Sequence, residues 1–120
     1  MILGRFRYGH PRATLHLPGT SGPMPVEFIV DTGFEGDLAV PGHLASRLAG
    51  AQVGFRRRML ADGLVIHCPF YEILLDWSDE PRITEVLALL GHPLLGTALL
   101  EDYLLQVEIG EGGEVLIDPL

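Results

Sequence analysis

The chain has 120 residues, with 16 acidic side chains against 8 basic ones and a formal charge of −8; its length fits one domain over residues 1–120. Hydrophobic residues make up 48% of it, enough for one core and too many for a disordered chain. All the basic residues are arginine, which excludes Schiff-base lysines and the phosphate-binding lysine of a P-loop, and the acidic balance argues against nucleic acid as a partner.

Residues 1–12 carry Arg5, Arg7, His10 and Arg12 but lack the apolar run of roughly 7–15 residues that a secretory signal needs. No later stretch reaches the roughly 18 apolar residues of a membrane span, so no membrane partner is expected. Cys68 is the single cysteine, so no intrachain disulfide can form, and a cytoplasmic location is expected. Fifteen glycines and nine prolines fall between short apolar runs, which predicts a mostly β fold. Residues 13–17 and 24–30 read as the first two strands, joined by turn formers at 18–23. On the second strand Met24, Val26, Phe28 and Val30 share one face, with Glu27 and Ile29 on the other. Asp31-Thr32-Gly33 ends it.

Residues 38–40 form a short apolar strand. A helix follows, with Pro41 at its first position, Leu44 and Leu48 one turn apart, and Gly50 as a left-handed terminator. Residues 52–60 and 64–76 read as a long hairpin around Asp62-Gly63, a pair suited to positive φ. A turn at 77–81, a strand at 82–90, a short helix at 97–103 and a strand pair at 104–109 and 114–117 complete the chain.

Asp31-Thr32-Gly33 by itself is a weak signal, because a strand-ending turn explains both the aspartate and the glycine. Its context is stronger: Phe28-Ile29-Val30 brings the carboxylate to the end of a buried strand, where neighbours tune its ionisation. The stretch 26–33, the strand and helix after it, the turn Leu60-Ala61-Asp62-Gly63, and Leu94-Leu95-Gly96 with its following helix together resemble a retropepsin-like aspartic protease of the small, single-domain bacterial type. The resemblance runs over about residues 12–118, in the right order, and agreement across levels outweighs any one motif.

The resemblance implies a closed, β-barrel-like half of a pepsin fold with one or two short helices. It implies an aspartic endopeptidase that works as a homodimer on peptide or protein substrates, without cofactor or metal. Asp31 is then the catalytic residue, and Thr32 and Gly33 complete the active-site loop. Thr32 ties the two loops together across the dimer axis, and Gly33 lets the backbone approach the carboxylate. Ala61, Asp62 and Gly63 belong to the flap that covers substrate. Leu94, Leu95 and Gly96 are structural support beneath the catalytic loop. The terminal segments 1–8 and 114–120 are candidates for the dimer interface. Phe34 departs from the small residue that retroviral members carry after the motif, although an aromatic is frequent in the small bacterial members. The flap is also less glycine-rich than in viral enzymes.

Rival constellations are weaker. His10, His16, His43, His67 and His92 have no ligand-like spacing. His67 and Cys68 are strand neighbours and so point to opposite faces, which makes Cys68 a small core residue. Ser21, Ser46 and Ser78 lie outside any nucleophile motif. The three arginines 56–58 could attract an acidic substrate, but alternation places Arg56 and Arg58 on one face and Arg57 on the other, and a solvated edge strand is the favoured reading. Asp62 is explained by its turn, and Glu35 and Asp37 read as solvated loop charges. The alternative to an enzyme is a dimerisation or peptide-binding module with little or no peptidase activity, since fold does not fix function.

Overall fold

Residues 1–59 and 62–120 are described by a computed structural model. The alternating apolar positions become β2 (His10–Gly19) and β3 (Gly22–Val30), a hairpin closed by Thr20 and Ser21. Both strands run further toward the turn than the prolines there suggested. Pro18 lies opposite Pro23, and His16 opposite Pro25. The Ile29 N–H donates to the Pro93 carbonyl, on the side of β3 away from β2. With a two-residue period, the nitrogens of Pro23 and Pro25 face that same side, where β3 pairs at Ile29 and Val30. The prolines therefore cost the ladder no donor. Met24, Val26, Phe28 and Val30 all enter the main core as expected, and full burial of Phe28 contributes about 2–3 kcal/mol.

Next come β4 (Leu38–Val40) and α1 (Gly42–Ala45). Pro41 caps α1 instead of opening it, with its carbonyl accepting from the Leu44 and Ala45 N–H groups. The helix is shorter than expected, and Gly50 does not terminate it in a left-handed conformation. A Cβ at position 50 would stand 2.5 Å from the Glu72 carbonyl oxygen, so close approach to the neighbouring strand explains the glycine. β5 (Ala51–Met59) and β6 (Val65–Trp77) make the long hairpin, and β6 then pairs with β7 (Glu80–Ala88). The β6–β7 turn is Ser78 and Asp79, with φ of 53° and 66°, the paired positive values of a type I′ turn. β8 (Leu94–Leu95) and α2 (Thr97–Leu100) precede β9 (Tyr103–Val107) and β10 (Glu114–Pro119). α2 ends before the expected residue 103 because Asp102 turns left-handed, φ 66°, and Tyr103 already starts β9.

The N-terminal segment is itself a strand, β1 (Ile2–Arg7), between β2 and β10. All strands form one ten-stranded sheet in the order β5-β6-β7-β4-β8-β3-β2-β1-β10-β9. The expected closed barrel is therefore corrected to an open sheet, whose outer strands β5 and β9 do not pair with each other. Closure requires the last strand to continue the hydrogen-bond register of the first. Here the sheet instead curls until the inner faces of β2 and β6 meet. Leu15, Leu17, Phe28, Ile73, Leu75, Trp77, Leu99 and Ile117 fill the space between them. The two halves join through β4 and β8, of three and two residues, by parallel pairings of β3 with β8 and β4 with β7.

A second cluster lies on the other side of the β6–β7 ribbon, where Ala39, Phe70 and Leu87 meet Phe34, Leu89 and Leu94. β6 serves both: Cys68 and Phe70 are buried on one face, then Ile73, Leu75 and Trp77 on the other. No helix among the described residues is long and apolar enough to cross a membrane.

Candidate active site

Val30 is buried at the end of β3, and Asp31 follows it half-buried, with Thr32 and Gly33 exposed. The Asp31 N–H donates to the Leu95 carbonyl at 2.9 Å, which continues the β3–β8 pairing by one residue. Asp31 Oδ1 accepts the Gly33 N–H at 2.9 Å, and the Asp31 carbonyl accepts the Phe34 N–H at 3.1 Å. One carboxylate oxygen is thus held by its own loop. A Cβ on Gly33 would stand 3.2 Å from that oxygen, tighter than most such contacts.

The segment after β8 locks the loop from below. The Gly96 N–H donates to the Asp37 carbonyl, the Thr97 N–H to the Phe34 carbonyl and the Ala98 N–H to the Gly36 carbonyl, at 2.9, 2.8 and 3.2 Å. Gly96 caps α2, and any Cβ there would strike the Phe34 carbonyl and its ring at 2.6 Å. Leu95 is fully buried. Leu95 thus meets Asp31 through backbone, Leu94 pairs with Ile29 of β3, and Gly96 lies against Phe34 and Gly36. Phe34 folds its ring across Gly36 and Gly96 into the second cluster, so the bulky residue after the motif is a packing element.

Asp37 is not the solvated loop charge expected of it. Its side chain is 14% exposed, and its two oxygens accept from Arg82 Nη2 at 3.3 Å and from the Glu85 N–H at 3.0 Å. Arg82 Nη2 also donates to the Ala98 carbonyl at 3.1 Å. This carboxylate pins the loop to β7 and α2, a role with no sequence signal beyond its place before a buried strand. Glu35 is exposed and, with Thr32, Ala98, Leu100, Glu101 and Leu105, lines a broad depression beside the loop.

Asp62 and Gly63 sit exposed at the tip of the β5–β6 hairpin, and Ala61, with Leu60, lies outside the described residues. Asp62 Oδ1 accepts the Leu64 N–H at 2.9 Å and Gly63 has φ of 86°, an aspartate–glycine turn of the expected kind. The hairpin meets the Asp31 loop through Arg58, whose guanidinium carbon lies 5.8 Å from the Phe34 ring centre. Arg56, on the same face, stands 4.3 Å over Phe70 and donates from Nε and Nη2 to the two oxygens of Glu85 at 3.0 and 2.8 Å. That hydrogen bond, with the charge of Glu85, raises the Arg56 pKa further. Cys68 lies on this face too, buried and without a disulfide partner.

Among the described residues no group of three or more metal-ligating side chains converges. The loop holds one aspartate whose carboxylate accepts a glycine N–H, braced from below by residues 95–98. Such a group can accept or donate a proton, and a second titrating partner must come from elsewhere for acid and base roles to be split. Comparison with protein-family models, curated proteins and solved structures found no match in any of the three.

Proposed function

We propose that the chain is an aspartic endopeptidase that acts as a symmetric homodimer, each protomer contributing Asp31. The observation that carries this reading is the half-buried Asp31 carboxylate at the end of a buried strand, in an exposed loop whose backbone is braced by residues 95–98. Exposure of Thr32 and Gly33 leaves the loop open to a second copy. A peptide-binding scaffold has no need of two carboxylates brought face to face.

Two such carboxylates at about 4 Å repel by about 4 kcal/mol at an effective dielectric near 20, which separates their titrations by about 3 pKa units. The pair then holds one proton over a broad acid range, and its apparent pKa values belong to the dyad. The ionised member takes a proton from water as the oxygen attacks the peptide carbonyl. The neutral member donates its proton to the forming oxyanion. Collapse of the resulting diol breaks the C–N bond: the departing nitrogen takes the proton held by one carboxyl while a diol hydroxyl returns its proton to the ionised carboxylate, so the dyad again holds one proton.

The test is cleavage of a denatured protein mixture between about pH 3.5 and 7, wild type beside Asp31→Asn. The wild type cleaves, and the variant loses about 10²- to 10⁴-fold or more. Equal activity in both overturns the assignment, as does a wild type that is monomeric at every concentration. No cleavage by a soluble dimer leaves the binding module as the better reading.

A further inference from the structure

We propose that Arg58 sets substrate preference at the proposed site by binding an aspartate or glutamate side chain of the peptide close to the scissile bond. This deepens the peptidase reading and rests on it. Arg56 and Arg58 share one face of β5, each above an aromatic ring, Phe70 and Phe34. Their charges have different fates. Both oxygens of Glu85 take the Nε–Nη2 edge of Arg56, whereas among the described residues no carboxylate lies within salt-bridge distance of Arg58.

Arg58 Nε is shielded from solvent and has no acceptor among the described residues, which is an uncommon state for a charged donor. The nearby thiol supplies no counter-charge, because burial pushes the Cys68 pKa up even against the pull of Arg58. Asp37 is taken by Arg82 and the Glu85 N–H. Arg58 is therefore a partly exposed cation oriented by an aromatic ring, with the fork of its Nη groups, rather than the shielded Nε, as the donors left for a carboxylate from outside. Its position fits substrate recognition: Phe34 beneath it bonds directly to the Asp31 carbonyl. An anion held by Arg58 lies alongside the reacting loop.

The experiment is a cleavage profile on a mixed peptide library, followed by two matched peptides that differ in one residue, glutamate or glutamine, at the enriched position. The wild type shows acidic enrichment at one position near the cut, and Arg58→Met lowers kcat/KM for the glutamate peptide by about 10- to 100-fold while the glutamine peptide is cleaved as before. Arg58→Lys keeps the charge without the fork and falls between the two. Arg57→Met, exposed on the opposite face, changes neither peptide. Cleavage without acidic enrichment in the wild type overturns the inference and leaves the peptidase reading intact, even if Arg58→Met fails to fold. An enrichment that survives unchanged in folded Arg58→Met does the same. No Asp31-dependent cleavage overturns both.

Discussion

Asp37 shows how much of the loop's rigidity comes from one side chain. Its carboxylate joins Arg82, the Glu85 N–H and, through Arg82, the Ala98 carbonyl. Asp37→Ala leaves a partly buried N–H without its acceptor and a partly buried guanidinium without its carboxylate, and should destabilise by about 2–3 kcal/mol. Asp37→Asn keeps an acceptor for Glu85 and should cost about half of that. Urea denaturation of both variants checks the order. Cys68 carries a pH consequence. Burial raises its thiol pKa, so the folded state binds that proton more tightly than the unfolded chain does. The contribution to stability is complete below the ordinary thiol pKa and declines as pH rises above it. Iodoacetamide should modify Cys68 at mildly alkaline pH no faster than the chain opens, and quickly in denaturant. Fast modification of the folded protein would contradict the burial.

At the scale of elements, the turns are placed by backbone conformations that the side chains only partly favour. Ser78 and Asp79 both hold positive φ, although asparagine followed by glycine suits that turn better. Ser78→Asn combined with Asp79→Gly should stabilise by about 0.5–1 kcal/mol and raise Tm by roughly 2–5 °C, measured by thermal unfolding. The short α1 and α2 are held by tertiary packing, since four-residue helices are not stable alone. Ala45, Leu99 and Leu100 are buried against the sheet, and that burial supplies what propensity does not.

At the scale of the molecule, both terminal strands are used within the chain. β1 lies between β2 and β10, and β10 between β1 and β9, so neither offers a backbone edge to a second copy. A dimer built on the Asp31 loops cannot add strands at β1 or β10, and the depression lined by Thr32, Glu35 and Leu105 lies beside those loops. On the proposed dyad, which needs two copies of Asp31, specific activity should rise with protein concentration until the dimer saturates. The chain carries −8 and two copies would repel, so salt that screens this repulsion should shift the proposed rise to lower concentration. Enzyme dilution series at two ionic strengths check both points. Constant specific activity would mean that a single chain suffices.

The amino-acid sequence by itself determined the local pattern. It was legible that β3 buries Met24, Val26, Phe28 and Val30, that Asp31 follows at its end, that Cys68 faces inward while His67 faces out, and that Asp62-Gly63 turns a hairpin. Each of these follows from a two-residue period or from the φ preference of a few residues. Tertiary structure alone decided which faces are buried along β6, where the inward set changes from Cys68 and Phe70 to Ile73, Leu75 and Trp77. It decided the partners of Asp37, the open ends of the sheet and the reason for Gly50, which answers to the Glu72 carbonyl. These depend on contacts between residues far apart in the chain. A periodic pattern records that a face is apolar, whereas the partner of that face, and whether the outermost strands meet, are set by how the whole sheet curls over its core.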